Sequence, residues 1–284
     1  MDGAAAVLGP ESLDAAARGL PAPRSGEDPL PMGSRLPRVT TVEREAFLVE
    51  AARGRRVTHV GFGETGSRAG SQREGHWIHG RLRLVASHLV GVDIDAESVA
   101  QAEAQGYEVY LADCRDPADI ARQAIPAAEV VVVGEVIEHI DNVGPFLDGL
   151  HGLISPTGSM IMTTPNAFRL TNFAAGLRGI EFVHPDHVAW YSWSTLKNVL
   201  ERHGWRVERF HTYVPPRRGL LAPIRGTTRN RVTVGAGRLV LGLERVLANS
   251  VAPFLGEGLI AVCHPAARPP APPAAAPPPA AADH

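Results

Sequence analysis

The sequence is short of most features that would mark a secreted, disulfide-stapled or nucleic-acid-binding protein. Only two cysteines occur among 284 residues, Cys114 and Cys263. Two isolated thiols build neither a disulfide framework nor a zinc cluster, so a reducing, cytoplasmic setting is the simplest expectation. Charge of one sign is not in excess: 28 basic residues face 30 acidic ones, a net charge of -2. A nucleic-acid binder would carry a basic surplus or a concentrated basic face, and none is expected as a partner. Lysine is almost missing, Lys197 being the only one. No apolar run reaches the roughly 18 residues of a membrane span. The N-terminus shows no basic stretch followed by an apolar one, the pattern of a secretory signal.

What is present is enough for a folded core, with 44% hydrophobic and 20% charged residues. Of the 24 prolines, 14 lie in residues 1–40 and 265–284. Residues 1–40 mix proline with Gly, Ser and charges and read as a flexible segment, with room for a short helix from Glu11 to Arg18. Residues 265–284 are nearly all Pro and Ala and read as an extended, disordered tail. The span 41–264 reads as one domain.

Within that domain apolar strands and helices alternate. Thr40 and Glu43 have capping-box spacing ahead of Phe47, Leu48 and Ala51, which predicts a helix ended near Gly54. Strands are expected at Val57–Phe62, His88–Asp93, Val109–Asp113, Glu129–Gly134, Ser159–Thr164, Trp205–Val214 and Gly258–His264. Helices are expected at Trp77–Ser87, Ala96–Gln105, Asp116–Ala124, Phe146–Ile154 and Ser194–His203. Asp116-Pro117 is an N-cap followed by proline at the first helical position. The four consecutive valines of the Glu129 strand point to burial on both faces, hence to a parallel sheet covered by helices. Ligands of such sheets bind beyond the C-terminal strand ends.

Those ends carry the chemistry. The first strand runs into Gly61-Phe62-Gly63-Glu64-Thr65-Gly66, a G-x-G-x-x-G pattern that lets backbone approach a ligand and equally makes a tight turn. The second ends at Asp93, a carboxylate able to accept both hydroxyls of a ribose or to cap the next helix. The third ends in Asp113-Cys114, the fourth in Glu135-Val136-Ile137-Glu138-His139.

Taken in order, His59-Val60-Gly61-Phe62-Gly63, Gly91-Val92-Asp93-Ile94-Asp95, Ala112-Asp113, Glu135 to His139 and Thr164-Pro165-Asn166 resemble class I S-adenosylmethionine-dependent methyltransferases. The run Glu135 to Asn142 looks like the ubiquinone-pathway O-methyltransferase type. The resemblance implies an α/β fold: a Rossmann-like, doubly wound, seven-stranded sheet in order 3-2-1-4-5-7-6, mostly parallel, with strand 7 antiparallel. It implies S-adenosyl-L-methionine as cofactor. Gly61 and Gly63 would pass its methionine part, Asp93 would bind the ribose hydroxyls, and Asp113 the adenine amine. Cys114 would supply a neighbouring backbone contact, and Glu135 would lie beside the methionine moiety. Three features depart from the family pattern. His59 stands where an acid is usual, the loop reads G-F-G-E-T-G, and thirty residues separate Gly63 from Asp93.

A hydroxyl acceptor needs its proton removed, and histidine suits neutral pH. His187 is the first candidate base and His139 the second; His184-Pro185-Asp186-His187 belongs to a segment expected over the cofactor end of the sheet. No metal is expected, since the histidines lack further evident ligands. Residues 215–231 hold Arg217, Arg218, Arg225, Arg229 and Arg231 and no acid, ahead of Leu239, Leu243, Val246 and Leu247 at helical spacing. They read as forks for a phosphate-bearing acceptor, as a membrane-surface lid, or as a solvated loop and a helix packed on the domain or on a second subunit in a homodimer. The expected function is methyl transfer to a small-molecule hydroxyl of a sugar or secondary metabolite. The rivals are an NAD(P)-dependent oxidoreductase, which would lack a Tyr-x-x-x-Lys pair here, and a degenerate methyltransferase fold that only binds.

Overall fold

A computed structural model describes residues 35–63, 77–214 and 228–266. The chain divides into two units, 1–39 and 40–284. Of the first, the described residues 35–39 have no regular structure. The readings of a helix at Glu11–Arg18, of a tail after Ala266, of Glu64 to Gly66 and of Arg217, Arg218 and Arg225 lie outside the described residues.

The described residues of the second unit hold eight strands: β1 Thr40–Val42, β2 Arg56–Val60, β3 His88–Asp93, β4 Glu108–Leu111, β5 Ala128–Gly134, β6 Ile154–Pro165, β7 Trp205–Tyr213 and β8 Gly258–Pro265. Its helices are α1 Arg44–Ala52, α2 Ile78–Arg83, α3 Ala96–Glu103, α4 Pro117–Gln123, α5 Val143–Leu150, α6 Leu170–Gly176, α7 Trp193–Arg202 and α8 Thr228–Ser250. All strands form one sheet in the order β1-β7-β8-β6-β5-β2-β3-β4. β8 is antiparallel to both neighbours, and the remaining pairs are parallel.

The sheet has eight strands where seven were expected. Without β1, its order is the expected 3-2-1-4-5-7-6 with the antiparallel strand in place. The extra strand is where a helix start was expected. Thr40, Thr41 and Val42 are β-branched and fit a pleated edge better than a helical turn. The threonine hydroxyls are both used, Thr40 across the sheet with His211 Nδ1 at 2.6 Å and Thr41 donating to the Ala248 carbonyl of the helix Thr228–Ser250 at 2.7 Å. The helix therefore begins one turn later, with Glu43 as its N-cap and no side-chain capping bond. The helix expected from Trp77 to Ser87 is also shorter, spanning Ile78–Arg83.

The valine strand behaves as its composition dictates. Val130 to Val133 are wholly buried, paired with β2 on one side and β6 on the other. One helical layer packs Leu48 of α1 and Ile78 and Leu82 of α2 on that strand, in a core shared with Ile161 and Ile260. Helices α3 and α4 begin cleanly because their first turns are chemically marked. Asp95 accepts from Ser98 N–H at the start of α3, and Asp116 accepts from Ala118 N–H ahead of Pro117 in α4. The parallel strands thus deliver their C-terminal ends to one edge of the sheet.

Candidate active site

A cleft of about 710 Å³ opens at that edge. Gly61, Gly63, Asp93, Asp113, Cys114, Glu135, His139 and His187, the eight residues singled out from the sequence, all line it. They come from the ends of four parallel strands and from the segment before α7.

The glycines are there for backbone reasons. Gly61 has φ +68°, and a Cβ on it would lie 2.4 Å from Val136 Cγ2. Gly63 presents its N–H to Asp93 Oδ2 at 2.8 Å, and a Cβ would strike Ser98. Asp93 is 8% exposed. Its other oxygen accepts from Asp95 N–H at 2.9 Å. Burial pushes its carboxyl up from the usual range, against the pull of the Asp95 and Gly63 N–H groups. Asp93 lines the cleft, and a carboxylate can accept more hydrogen bonds than these, which suits a vicinal diol.

Asp113 is engaged more fully. Arg115 forks it, Nε to Oδ1 at 3.0 Å and Nη2 to Oδ2 at 2.9 Å, and this contact holds its carboxyl below the usual range. An adenine amine would have to share it with that guanidinium. Cys114 is buried and its thiol is pushed up to about 12 by burial, so it is no nucleophile. Only its backbone is offered to a ligand.

Glu135 adopts φ +58°, uncommon for a non-glycine residue. Its Oε1 accepts from the Thr163 hydroxyl and the Tyr213 phenol, each at 2.8 Å, and Arg44 Nε lies 3.7 Å away. Arg44 also donates to Thr163 Oγ1 at 3.0 Å. Burial works against its charge, but Glu135 and neighbouring groups outweigh this and raise its pKa. Sequence reading passed over Arg44 and Tyr213. A signal existed for Arg44: it lies three and four residues before Phe47 and Leu48, on the side of α1 that faces the core.

The fourth strand end holds a second cluster. Glu138 is 1% exposed and accepts from the Thr164 hydroxyl at 3.0 Å through Oε2. Its Oε1 has no hydrogen-bond partner in the protein. Burial and the neighbouring Glu135 push its carboxyl up to about 8. His139 stacks edge-on to His187, ring centres 4.6 Å apart, with His184 5.4 Å from His187. His139 Nδ1 is 3.1 Å from the Asp186 carbonyl, so it donates there and leaves Nε2 as the basic nitrogen. Burial, then the two neighbouring histidines, lower the pKa of His187 and keep it neutral at pH 7. Its Nδ1 is buried without a partner. The structure therefore brings the two candidate bases into contact. Among the described residues, Glu138, His139 and His187 each place a ligand atom within 4.8 Å of the others, a set with the chemistry for a divalent cation. The sequence reading, which expected no metal, weighed His184, Asp186 and His187 as ligands; Asp186 instead contributes its carbonyl and is exposed.

His59 completes the floor. It is buried, its Nδ1 is 3.2 Å from His79 Nδ1, and burial pushes its pKa down to about 3. The residue that replaces the usual acid is thus a neutral core histidine.

Residues 73–209 match the family model described as a methyltransferase domain. That stretch is similar to methyltransferase domains, and the sheet order matches the one expected for the class I S-adenosylmethionine-dependent type. Curated relatives of this domain are ubiquinone biosynthesis O-methyltransferases. That of Rhodopseudomonas palustris strain BisA53 is 30% identical over 35% of this chain, and that of Nitrobacter winogradskyi 28% over 35%. The match spans only 39% and 38% of those relatives' own lengths. A methyltransferase structure from Archaeoglobus fulgidus aligns with a TM-score of 0.45 at 16% identity, over 76% of this chain and 89% of that one. Asp93 beside two cleft-lining glycines fits S-adenosylmethionine as the ligand.

Proposed function

We propose that this protein transfers a methyl group to a hydroxyl of a small-molecule acceptor, with histidine as general base. The observation that carries the reading is the pairing of His139 and His187 at the end of β5, in the cleft that also holds Asp93 and Glu135. S-adenosylmethionine supplies a methyl group on a sulfonium centre when bound. Asp93 accepts the ribose hydroxyls, and the backbone at Gly61 and Gly63 gives room for the methionine part. Arg44 offers a guanidinium for the amino-acid carboxylate and Glu135 a carboxylate for its ammonium, charges matched in sign. His139 Nε2 or His187 takes the acceptor proton, while Ile140 and Phe146 exclude water from the pair. The O-methyltransferase relatives support oxygen as the atom methylated, and a secondary metabolite, the ubiquinone type included, suits that name better than a sugar.

The Glu138–His139–His187 set supports a second arrangement. A divalent cation held there would supply positive charge to a developing oxyanion. The orphaned Glu138 Oε1 and His187 Nδ1 are what favour it.

The test is turnover on a panel of phenols, sugars and amines. His187→Ala or His139→Ala should lower turnover on the true acceptor by roughly 100- to 10,000-fold. Cofactor affinity should be nearly unchanged, and the wild-type rate should fall on acidification as the base is protonated. Near-normal turnover in both variants would overturn the general-base reading. Loss of turnover on chelation would favour the cation.

A further inference from the structure

Tyr213 ends β7, and in the sheet β8 and β6 lie between β7 and β5. Its side chain bridges that gap. Tyr213 pairs in register with Gly258, the first residue of β8, which faces Pro165 of β6 on its other side. A Cβ on Gly258 would collide with Tyr213 Cζ and Oη, so the ring passes directly over glycine backbone. The phenol then reaches Glu135 Oε1, just past the end of β5, at 2.8 Å. Burial, then the Glu135 carboxylate, push the phenol well above its usual range, so it keeps its proton and donates.

A second hydroxyl serves the same oxygen. Thr163, wholly buried, donates to Glu135 Oε1 at 2.8 Å and accepts from Arg44 Nε at 3.0 Å. The Arg44 guanidinium stands over the Tyr213 ring, 6.0 Å from its centre. One side chain therefore meets both charged groups, its hydroxyl at the carboxylate and its face beneath the guanidinium. The contacts of Glu135 with Thr163, Tyr213 and Arg44 all use Oε1, and none uses Oε2. Glu135 also keeps φ +58°, a conformation that a non-glycine residue holds only where its surroundings fix it. Glu135 and Arg44 line the cleft, and Tyr213 does not.

We propose that Tyr213 is a positioning residue for the cofactor: it fixes Glu135 and Arg44 as a matched pair for the ammonium and carboxylate of S-adenosylmethionine, and so makes the site select for the amino-acid part of that ligand. The inference rests on the reading above in which Glu135 and Arg44 meet those groups. Side chains already locked by hydrogen bonds lose less freedom when the ligand arrives, and a fixed geometry rejects a ligand that lacks the matching charges.

The test is calorimetry with two probes. S-adenosylhomocysteine carries the amino-acid part, and 5′-methylthioadenosine keeps the nucleoside and the thioether without it. Glu135→Gln should weaken S-adenosylhomocysteine at least about tenfold. Tyr213→Phe keeps the ring under Arg44 and removes only the hydroxyl; it should weaken S-adenosylhomocysteine about three- to tenfold. Thr163→Val, which removes the other hydroxyl on Oε1, should act in the same direction. Affinity for 5′-methylthioadenosine should match wild type in every case, which also shows that the fold is intact. The double variant Tyr213→Phe, Glu135→Gln should bind S-adenosylhomocysteine no more weakly than Glu135→Gln alone, because the phenol acts through that carboxylate. Equal losses for both probes in Tyr213→Phe would reduce Tyr213 to a support of the fold. Additive losses in the double variant, or unchanged S-adenosylhomocysteine affinity in Tyr213→Phe, would likewise overturn the proposal while leaving Glu135 at the cofactor. If Glu135→Gln itself keeps the wild-type preference for S-adenosylhomocysteine, the ammonium is not held by Glu135, and the earlier reading fails together with this one.

Discussion

At the scale of single residues the site is built from groups whose charge state is set by burial. Asp93 is the plainest case. It is nearly enclosed and accepts from backbone N–H groups, yet a carboxylate has capacity for further donors. Removing a charged hydrogen-bond partner costs about 1.5–3 kcal/mol, a factor of roughly ten or more. Asp93→Ala should therefore weaken S-adenosylhomocysteine binding at least about tenfold by calorimetry, with the melting temperature little changed. Unaltered affinity would remove Asp93 from the cofactor site. This residue was legible in the sequence because a carboxylate that ends an apolar strand has few structural reasons to be there. Arg44 and Tyr213 were not, because Arg44 comes from a helix and Tyr213, although it ends β7, is separated from β5 in the sheet by β8 and β6. They arrive from the first helix and from the end of β7, across 119 and 78 residues of chain from their partners Thr163 and Glu135. Glu138 was visible as one of two acids in a row, but its burial depends on the segment 184–189 folding back, where Val188 N–H meets the Glu138 carbonyl at 2.9 Å.

At the scale of elements, local chemistry predicted most of the architecture. Asp-Pro at the start of α4, the Gly204 stop after α7 and the valine run of β5 each specify an element without reference to the rest of the fold. The misses have a common cause. β1 is three residues long and exists because β7 offers an edge; α6 is seven residues long and buries none of its side chains. Elements that owe their form to a neighbour leave little trace in their own sequence. Coupling between elements can be tested at Gly149, in α5. A Cβ there would stand 2.0 Å from the Cys114 carbonyl oxygen, so α5 touches the backbone that borders the cofactor cleft. Gly149→Ala must push that loop aside. Overpacking of this kind costs about 1–3 kcal/mol, and each kcal/mol lowers the melting temperature of a domain this size by about 2–4 °C. Cofactor affinity should drop as well. Gly176→Ala, with nothing within 4 Å of the new methyl, is the control and should leave both unchanged.

At the scale of the whole molecule, two neutral histidines are built into the sheet, and they set how the fold answers to acid. His59 on β2 is held down to about 3 by burial and then by Arg44. His211 on β7, bonded to the β1 edge, is held down to about 4 by burial and then by Arg209. In the unfolded chain both titrate near the ordinary value of about 6.5. Below that pH the unfolded state binds protons that the folded state refuses, so stability falls with pH. The contribution is complete above about pH 6.5 and is lost progressively toward pH 4 and 3. The limiting slope is about 1.4 kcal/mol per pH unit for each histidine. Site and stability are linked here, because a protonated His59 would place a cation on the floor of a cleft meant for a sulfonium. Denaturant unfolding at a series of pH values from 7.5 downward should show wild-type stability declining steadily below about 6.5. His59→Gln keeps a hydrogen-bonding group beside His79 but cannot titrate. It should be less stable than wild type at neutral pH and should lose stability less steeply on acidification. Parallel pH curves for the two proteins would mean that His59 takes up its proton as readily in the fold as in the unfolded chain, and the neutral floor assigned to the cleft would be wrong.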